Sequence, residues 1–476
     1  MENYLPAIKG PLEIETLSLR YPVEDLFAGL AELPEASFLN SSMITDAGRY
    51  SFIGINPFLI FRAKKNRINI NIGGHEICAK DDPFNALARI INSYRIKNPS
   101  PFPFSCGGIG YFSYDLKDVL EKLPSKAADD LNVHDIYFVF YQAVLVFDRL
   151  SPGHINLCVL NIPSQPDKNP SKVIRGIKHA LKNPRADTWI AQSAKHSQAL
   201  FESNFTKKSY IESVKKIIDY IRSGDIYQAC LSQRFKTRAA FSAYELYRRL
   251  NAVNPSPFSA FLNFDKLRVI SSSPELFLKV ADNTVETRPM KGTLARRGDP
   301  SGDKEGKDKL QKSEKDAAEL SMVVDLERND LGKICVPGSV EVTEHRRIET
   351  YPTVFQTISI IRGELEKDIG LTGIIKACFP GGSISGCPKI RAMEIIEELE
   401  PVKRGIYTGS IGYISFHGTM ELNIAIRTMV EKNNDIYFQS GGGIVADSDP
   451  EAEYNETLDK ARAMAGSLGI PFFDRE

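Results

Sequence analysis

At 476 residues, with 42% hydrophobic and 25% charged residues, the chain has the make-up of an ordinary globular protein and can fill two or three domains or one oversized one. Sixty basic residues cancel sixty acidic ones, so no overall field steers it toward nucleic acid or an anionic membrane, and an anionic ligand has to be met by local charges. No segment reads as a secretion signal or a membrane span, which predicts a cytoplasmic protein; seven scattered cysteines without a Cys-x-x-Cys pair argue against zinc ribbons or a disulfide framework and read as buried small hydrophobes.

Residues 12–150 are short extended runs broken by turns: 49–54, 58–61, 68–72 and the strongly apolar 136–147, with a helix at 84–94. The glycine-rich Cys106-Gly107-Gly108-Ile109-Gly110-Tyr111 lacks the order of a P-loop or dinucleotide fingerprint and reads as a strand edge. Residues 163–205, rich in Pro, Lys, Ser and Asn, hold one helix near 171–182 and the single tryptophan, Trp189; they read as a connector.

Beyond the connector, Tyr210, Val214, Ile217, Ile218 and Ile221 form a helical stripe, opened by Thr206 or Ser209 with Glu212 three residues on and closed by Gly224. A strand follows, then a helix at 243–253 and a strand pair ending at Ser273-Pro274-Glu275, where Glu275 by itself reads as a cap or surface carboxylate. Pro289 biases Arg288 toward an extended conformation and Gly292 permits a tight turn, which puts Lys291 at the mouth of that turn. A lysine there is ordinarily solvated. The charged, glycine-bearing 296–309 reads as a mobile loop, and Ser313 opens a helix carrying Glu319.

Residues 379–389 form a glycine-rich turn into a helix at 390–399, with Ile390, Met393, Ile396 and Leu399 on one side; free N–H groups at such a start favour an anion. Runs 409–416 and 420–430 read as a hairpin about His417-Gly418, with Met420, Leu422, Ile424 and Ile426 on the apolar face and Arg427 pointing away from the core. Strand 436–439 ends in Gly441, Gly442 and Gly443, either a bare exit turn or a place where backbone approaches a ligand or forms an anion nest. Pro450 starts the last helix, on which Glu453 and Glu456 share a face and Lys460 follows; alone, that is a weak surface ion pair.

Seven motifs occur in one order: residues 224–235; Ser273-Pro274-Glu275; Arg288-Pro289-Met290-Lys291-Gly292-Thr293; Asp325-Leu326-Glu327-Arg328-Asn329-Asp330; residues 380–389; Gly409-Ser410-Ile411-Gly412-Tyr413; and Gly441-Gly442-Gly443-Ile444. Together they resemble the chorismate-binding family, strongly over 205–470 and loosely over 10–160. The resemblance implies an α+β fold, large antiparallel β-sheets packed together with helices on the outside. It divides the chain into an N-terminal region at 1–162, a connector at 163–205 and a catalytic region at 206–470. It also implies a Mg²⁺-dependent enzyme acting on chorismate. Glu319 and Glu456 match the metal-holding glutamates, with Glu453 in support, in keeping with a cation that takes few carboxylates and keeps waters. Gly441, Gly442, Gly443 and Lys460 match the cradle for the ring carboxylate, Tyr407 and Arg427 the grip on the enolpyruvyl carboxylate, and Gly292 and Thr293 the lining of the ring.

Two positions discriminate within the family. Members that add water carry a lysine base where this chain has Gln228, and an amide cannot take that proton. Anthranilate-forming members carry a small residue where Lys291 stands; a lysine there implies attack of its amine on ring carbon 2, with Glu275 protonating the departing hydroxyl of carbon 4 and ammonia then displacing the lysine. That route serves 4-aminobenzoate and folate biosynthesis. It requires a neutral Lys291, for which desolvation and the cations Arg288 and Lys389 are candidate causes. No Gly-x-Cys-x-Gly elbow with a following His and Glu is present, so ammonia is expected from a separate glutamine amidotransferase subunit. Gln356 stands where anthranilate-forming relatives have a histidine linked to pyruvate loss. Asn40 departs from the family's effector pattern, while Ser41 with Pro257, Phe258 and Ser259 matches a tryptophan pocket. The rival readings are an anthranilate-forming enzyme and a non-catalytic scaffold or effector-binding subunit.

Overall fold

The apolar run at 136–147 forms the strand Ile136–Asp148, buried at every residue but the last. Successive side chains of a strand project to opposite faces, so a run apolar at almost every position is one covered on both sides. Val144 and Val146 enter one core, Ala143, Leu145 and Phe147 a second. Neighbours elsewhere divide in the same way: Phe52 from Ile53, Leu262 from Phe261, Val269 from Ile270 and Val430 from Met429. The second core lies under the helices Val23–Ala28, Ala243–Val253 and Pro450–Ser467; a smaller third one packs Lys207–Arg222 and Lys389–Leu399 on Ala229, Leu231 and Ile444. Each buried Leu, Ile or Phe in these layers contributes about 1.5–3 kcal/mol.

This computed structural model describes residues 5–8, 10–18, 21–97, 100–162, 169–182, 201–238 and 241–470. Trp189 and the connector at 163–168 and 183–200 lie outside them. The 22 strands of the described residues join one hydrogen-bonded network with antiparallel strand pairings, flanked by helices, as an α+β chain of large antiparallel sheets requires. The two sides of the connector share that network: Ala36–Asn40 pairs with Phe258–Phe264, and Gly107–Phe112 with Ser410–Ser415. Gly107–Phe112 also pairs with Ile136–Asp148, so the glycine run is an interior strand and not an edge. A Cβ on Gly110 would sit 2.0 Å from Tyr137 O, which is why glycine stands there.

Several local expectations need correction. Residues 296–309 are not a loop: Pro300–Lys312 is a helix, with Asp299 accepting from Gly302 N and Gly306 letting it close on Leu294 and Phe355. Gly302 and Gly306 hid it, because glycine weakens a helix that has no packing partner in view. Thr206 caps Lys207–Arg222 in a box with Ser209, not Glu212. The 420–430 run breaks into Met420–Asn423 and Thr428–Lys432. Met393, Ile396 and Leu399 are buried as expected, but Ile390 is 48% exposed and Ala392 and Ile395 are buried with them. Among the cysteines, Cys78 is exposed, and Cys230 and Cys387 are half-buried. No helix among the described residues is long and apolar enough to cross a membrane.

Candidate active site

Thr284–Arg288 and Met290–Ala295 both pair with Val354–Glu364, and Pro289 interrupts them. Thr357 stands opposite Lys291 and Gln356 opposite Thr293, which leaves Gly292, at φ +80°, as the extra residue of a bulge. Lys291 is thus on a bulged strand rather than at a turn, and it is half-buried, not solvated. A Cβ on Gly292 would lie 3.0 Å from Asp316 Cγ, so the helix Glu314–Leu331 presses on the bulge.

The three glycines lie inside Asp435–Ile444, paired with Gln228–Arg238; they are neither an exit turn nor a left-handed nest. What they provide is room. A Cβ on Gly443 would be 1.9 Å from Gln228 Nε2 and 3.2 Å from Lys291 Nζ. One on Gly442 would be 3.1 Å from Glu453 Oε2 and 3.5 Å from Glu456 Oε1. Gly443 therefore makes room for the amine and the amide on one face of the strand, and Gly442 for two carboxylates on the other. Lys460 Nζ donates to Gly441 O at 3.0 Å and pairs with Glu456 Oε1 at 2.6 Å.

Burial works to lower the Lys291 pKa, but Cys230 and then Glu319, Glu275 and Glu456 raise it further, and the net shift is upward. The expected cations are elsewhere: Arg288 pairs with Glu286 and Asp46, and Lys389 with Asp330 and the carbonyls of Cys378 and Pro380. These surroundings therefore favour the charged form of the amine, contrary to expectation. Glu275, 3% exposed, goes the other way: burial pushes its carboxyl up to about 7, against the lowering effect of Ser383 and Lys291. Both groups sit where charge is set by distant segments of chain.

Arg427 lies at φ +49° in the bend between two strands, half-buried. The strand alternation ends at Asn423, so its side chain does not follow the outward face predicted for it; Nη1 donates to Asn254 Oδ1 at 2.9 Å. Among the described residues no carboxylate lies within ion-pair distance of it, and burial lowers its pKa. Tyr407 is beside the left-handed Thr408, its ring 6.0 Å from the Arg404 guanidinium. Strained backbone at two neighbouring positions is characteristic of sites that hold ligands.

Glu453 and Glu456 approach one another closely enough for like-charge repulsion: burial first, then Glu456, raises Glu453, while Ser448 Oγ donates to its Oε1 at 2.7 Å. Glu319, its side chain 15% exposed, comes from the opposite helix with Lys315 at 4.0 Å. No three His, Cys, Asp or Glu among the described residues close into a cage by themselves. Ser41, Pro257, Phe258 and Ser259 do come together, around a cavity of about 30 Å³ walled by Tyr50, Phe52, Tyr413 and Glu421. Its volume holds about two waters. Ser41 Oγ already donates to Tyr50 O at 2.8 Å and lies 3.1 Å from Pro257 O.

Four buried polar atoms of the site have no partner among the described residues: Gln228 Nε2, Gln356 Oε1, Thr357 Oγ1 and Ser383 Oγ. Buried groups of this kind are normally paired, and each unmade bond costs about 1–3 kcal/mol, so together they mark a place for a polar ligand. Thr357 and Ser383 were not singled out from the sequence, in which a lone hydroxyl carries no sign of its partners. Gln356 Nε2 reaches Thr293 Oγ1 at 3.4 Å.

Comparison with known proteins gives the family of the chain. The family model described as chorismate binding enzyme matches residues 39–466. The chain is 39% identical over 430 residues to anthranilate synthase component 1 of Aquifex aeolicus, covering 89% of this chain and 87% of that protein. It is 37% identical over 448 residues to aminodeoxychorismate synthase component 1 of Salmonella typhimurium, covering 94% and 95%. The crystal structure of anthranilate synthase component I from Streptococcus pneumoniae superposes with a TM-score of 0.77 at 32% identity, over 89% of this chain and 93% of that one. The chain belongs to the chorismate-binding enzyme family.

Proposed function

We propose that this chain is an aminodeoxychorismate synthase component I, converting chorismate and ammonia to 4-amino-4-deoxychorismate. The observation that carries the reading is Lys291: an amine on a bulged strand, among carboxylates, in a site that also buries a carboxyl titrating near 7. One proton moved from Lys291 to Glu275 leaves the charge of the site unchanged and puts both groups in their active forms, a neutral nucleophile and a protonated acid. Lys291 Nζ then bonds to carbon 2, the two ring double bonds shift, and the carbon 4 oxygen leaves as water with the Glu275 proton. Ammonia adds at carbon 4, the double bonds shift back and the lysine departs.

Arg427 and Tyr407 are assigned to the enolpyruvyl carboxylate; a desolvated guanidinium without a carboxylate of its own suits an anion. Gly441, Gly442, Gly443 and Lys460 are assigned to the ring carboxylate, and Gly292 and Thr293 to the ring. Glu453 and Glu456, whose mutual repulsion a cation would relieve, are assigned with Glu319 to Mg²⁺, which takes few protein carboxylates and completes its shell with water and ligand oxygen. When bound, it would neutralise and anchor the ring carboxylate. Ammonia is expected from a glutamine amidotransferase subunit. Tryptophan at Ser41 would need the walls of its cavity to part.

The test is the product formed from chorismate, Mg²⁺ and ammonium. A carbon 4 amine from the parent protein, an adduct on Lys291 when ammonium is withheld, and neither from Lys291→Ala are the expected results. The loss in Lys291→Ala should be on the order of 10⁴-fold. An ortho-substituted, fluorescent product would instead make this chain an anthranilate synthase component I, the activity named for several relatives.

A further inference from the structure

Of the unpartnered polar atoms in the site, Ser383 Oγ is the one that stands beside the acid. Ser383 is 6% exposed and sits in the tight turn Gly382–Ile384. The turn is held on both sides: Ser385 Oγ donates to Gly381 O at 2.9 Å, and the Cys230 thiol lies 3.6 Å from Ser383 O. The Ser383 hydroxyl stands close enough to the Glu275 carboxyl to draw it down, and it has no other partner among the described residues. A buried hydroxyl beside the acid, with no further partner of its own, is completed by whatever occupies the site. Gln228, Gln356 and Thr357, by contrast, face the amine or stand in register with Lys291 and Thr293.

We propose that Ser383 is a catalytic residue: its hydroxyl receives the carbon 4 oxygen of chorismate and relays to it the proton of Glu275. The relay rests on the carbon 4 amination described above. As the bond from Lys291 Nζ to carbon 2 forms and the bond from carbon 4 to oxygen breaks, the Glu275 proton passes to Ser383 Oγ while the Ser383 proton passes to the departing oxygen. Water leaves, Glu275 is left as carboxylate, and Ser383 is again a neutral hydroxyl.

The experiment compares Ser383→Ala, Ser383→Cys and Ser383→Thr in two assays, Lys291 adduct formation without ammonium and turnover with it. Ser383→Ala should slow both by about 10²-fold, in kcat rather than KM. Ser383→Cys, which keeps the volume but offers a poor donor, should be slow as well, whichever of the two folds better. Ser383→Thr, which keeps the hydroxyl, should recover to within about tenfold of the parent. Adduct formation at the parent rate in folded Ser383→Ala or Ser383→Cys overturns the relay, as does folded Ser383→Thr being as slow as they are. A parent protein that makes no carbon 4 amine sinks the function itself, a result distinguishable from either.

Discussion

Two clusters of buried charge lie close together in this chain, and they are built in opposite ways. In the first, Lys117 Nζ meets Asp118 at 2.6 Å and Glu397 at 3.0 Å, and Lys403 bridges the same two carboxylates at 2.8 and 3.1 Å. Beside them Arg404 takes Glu400 through Nε and Nη2, at 2.9 and 2.8 Å, and the carbonyls of Ile384 and Cys230. In the second, Arg427 has an amide, Lys291 is ringed by carboxylates it does not bond, and four polar atoms are unpaired. The first cluster ties residues 117–118 to 397–404 and every charge in it is paired; the charges of the second are paired only with a ligand. Full pairing marks a charge that holds the fold, and its absence marks one kept for a substrate.

Four measurements would break or sharpen that contrast. The largest effect is expected at Glu275: the reacting pair shares one proton between Lys291 and Glu275, so kcat/KM should rise as pH rises through about 7 and the second proton is lost, and Glu275→Gln should lower kcat by about 10²–10⁴-fold and flatten that limb. A profile unchanged in Glu275→Gln would remove it from the chemistry. Next, Arg404→Met leaves Glu400 buried without its partner and should cost about 3–5 kcal/mol in denaturant unfolding. Full stability would make the paired cluster dispensable.

Arg427→Gln should do the reverse. Unfolding should be nearly unaltered, while loss of a charge-assisted contact of about 1.5–3 kcal/mol raises KM for chorismate roughly 10- to 100-fold. A drop in stability matching that of Arg404→Met would erase the distinction. The smallest effect concerns Glu327, whose carboxyl accepts from Thr287 Oγ1 at 2.6 Å and is pushed by burial to about 8. Its folded form holds the proton more tightly than the unfolded one. The stability this lends is fully present below the ordinary carboxylate range and is lost as pH rises through 8. Glu327→Gln should therefore equal the parent near pH 4 and exceed it by about 1–3 kcal/mol at pH 8 in urea titrations. Equal curves at both pH values would show that the acid is not strained.

How far the sequence could be read varied with the range of the forces involved. The helix at 243–253 follows from its own cap and stripe and matches the structure residue for residue. The strand at 136–147 needed nothing but its apolar run. The helix Pro300–Lys312 was missed because what steadies it, Leu294 and Phe355 against Gly306, is supplied by other segments. The bulge at Gly292 reads as a turn in the sequence, since glycine permits both and strand register decides between them. Lys291, Glu275 and Arg427 could be named from motifs, but not their charge states: the cations expected near Lys291 are engaged elsewhere, and carboxylates stand in their place.

Caps, stripes and apolar runs are settled within a few residues by backbone geometry and side-chain shape, and those the chain by itself determined, together with the order of motifs that places it in its family. Which charges are neutralised, how far burial moves a carboxyl and which hydroxyls go unpaired were decided by tertiary structure alone. Electrostatic energy depends on distance and on the exclusion of water, and both are set by segments hundreds of residues apart.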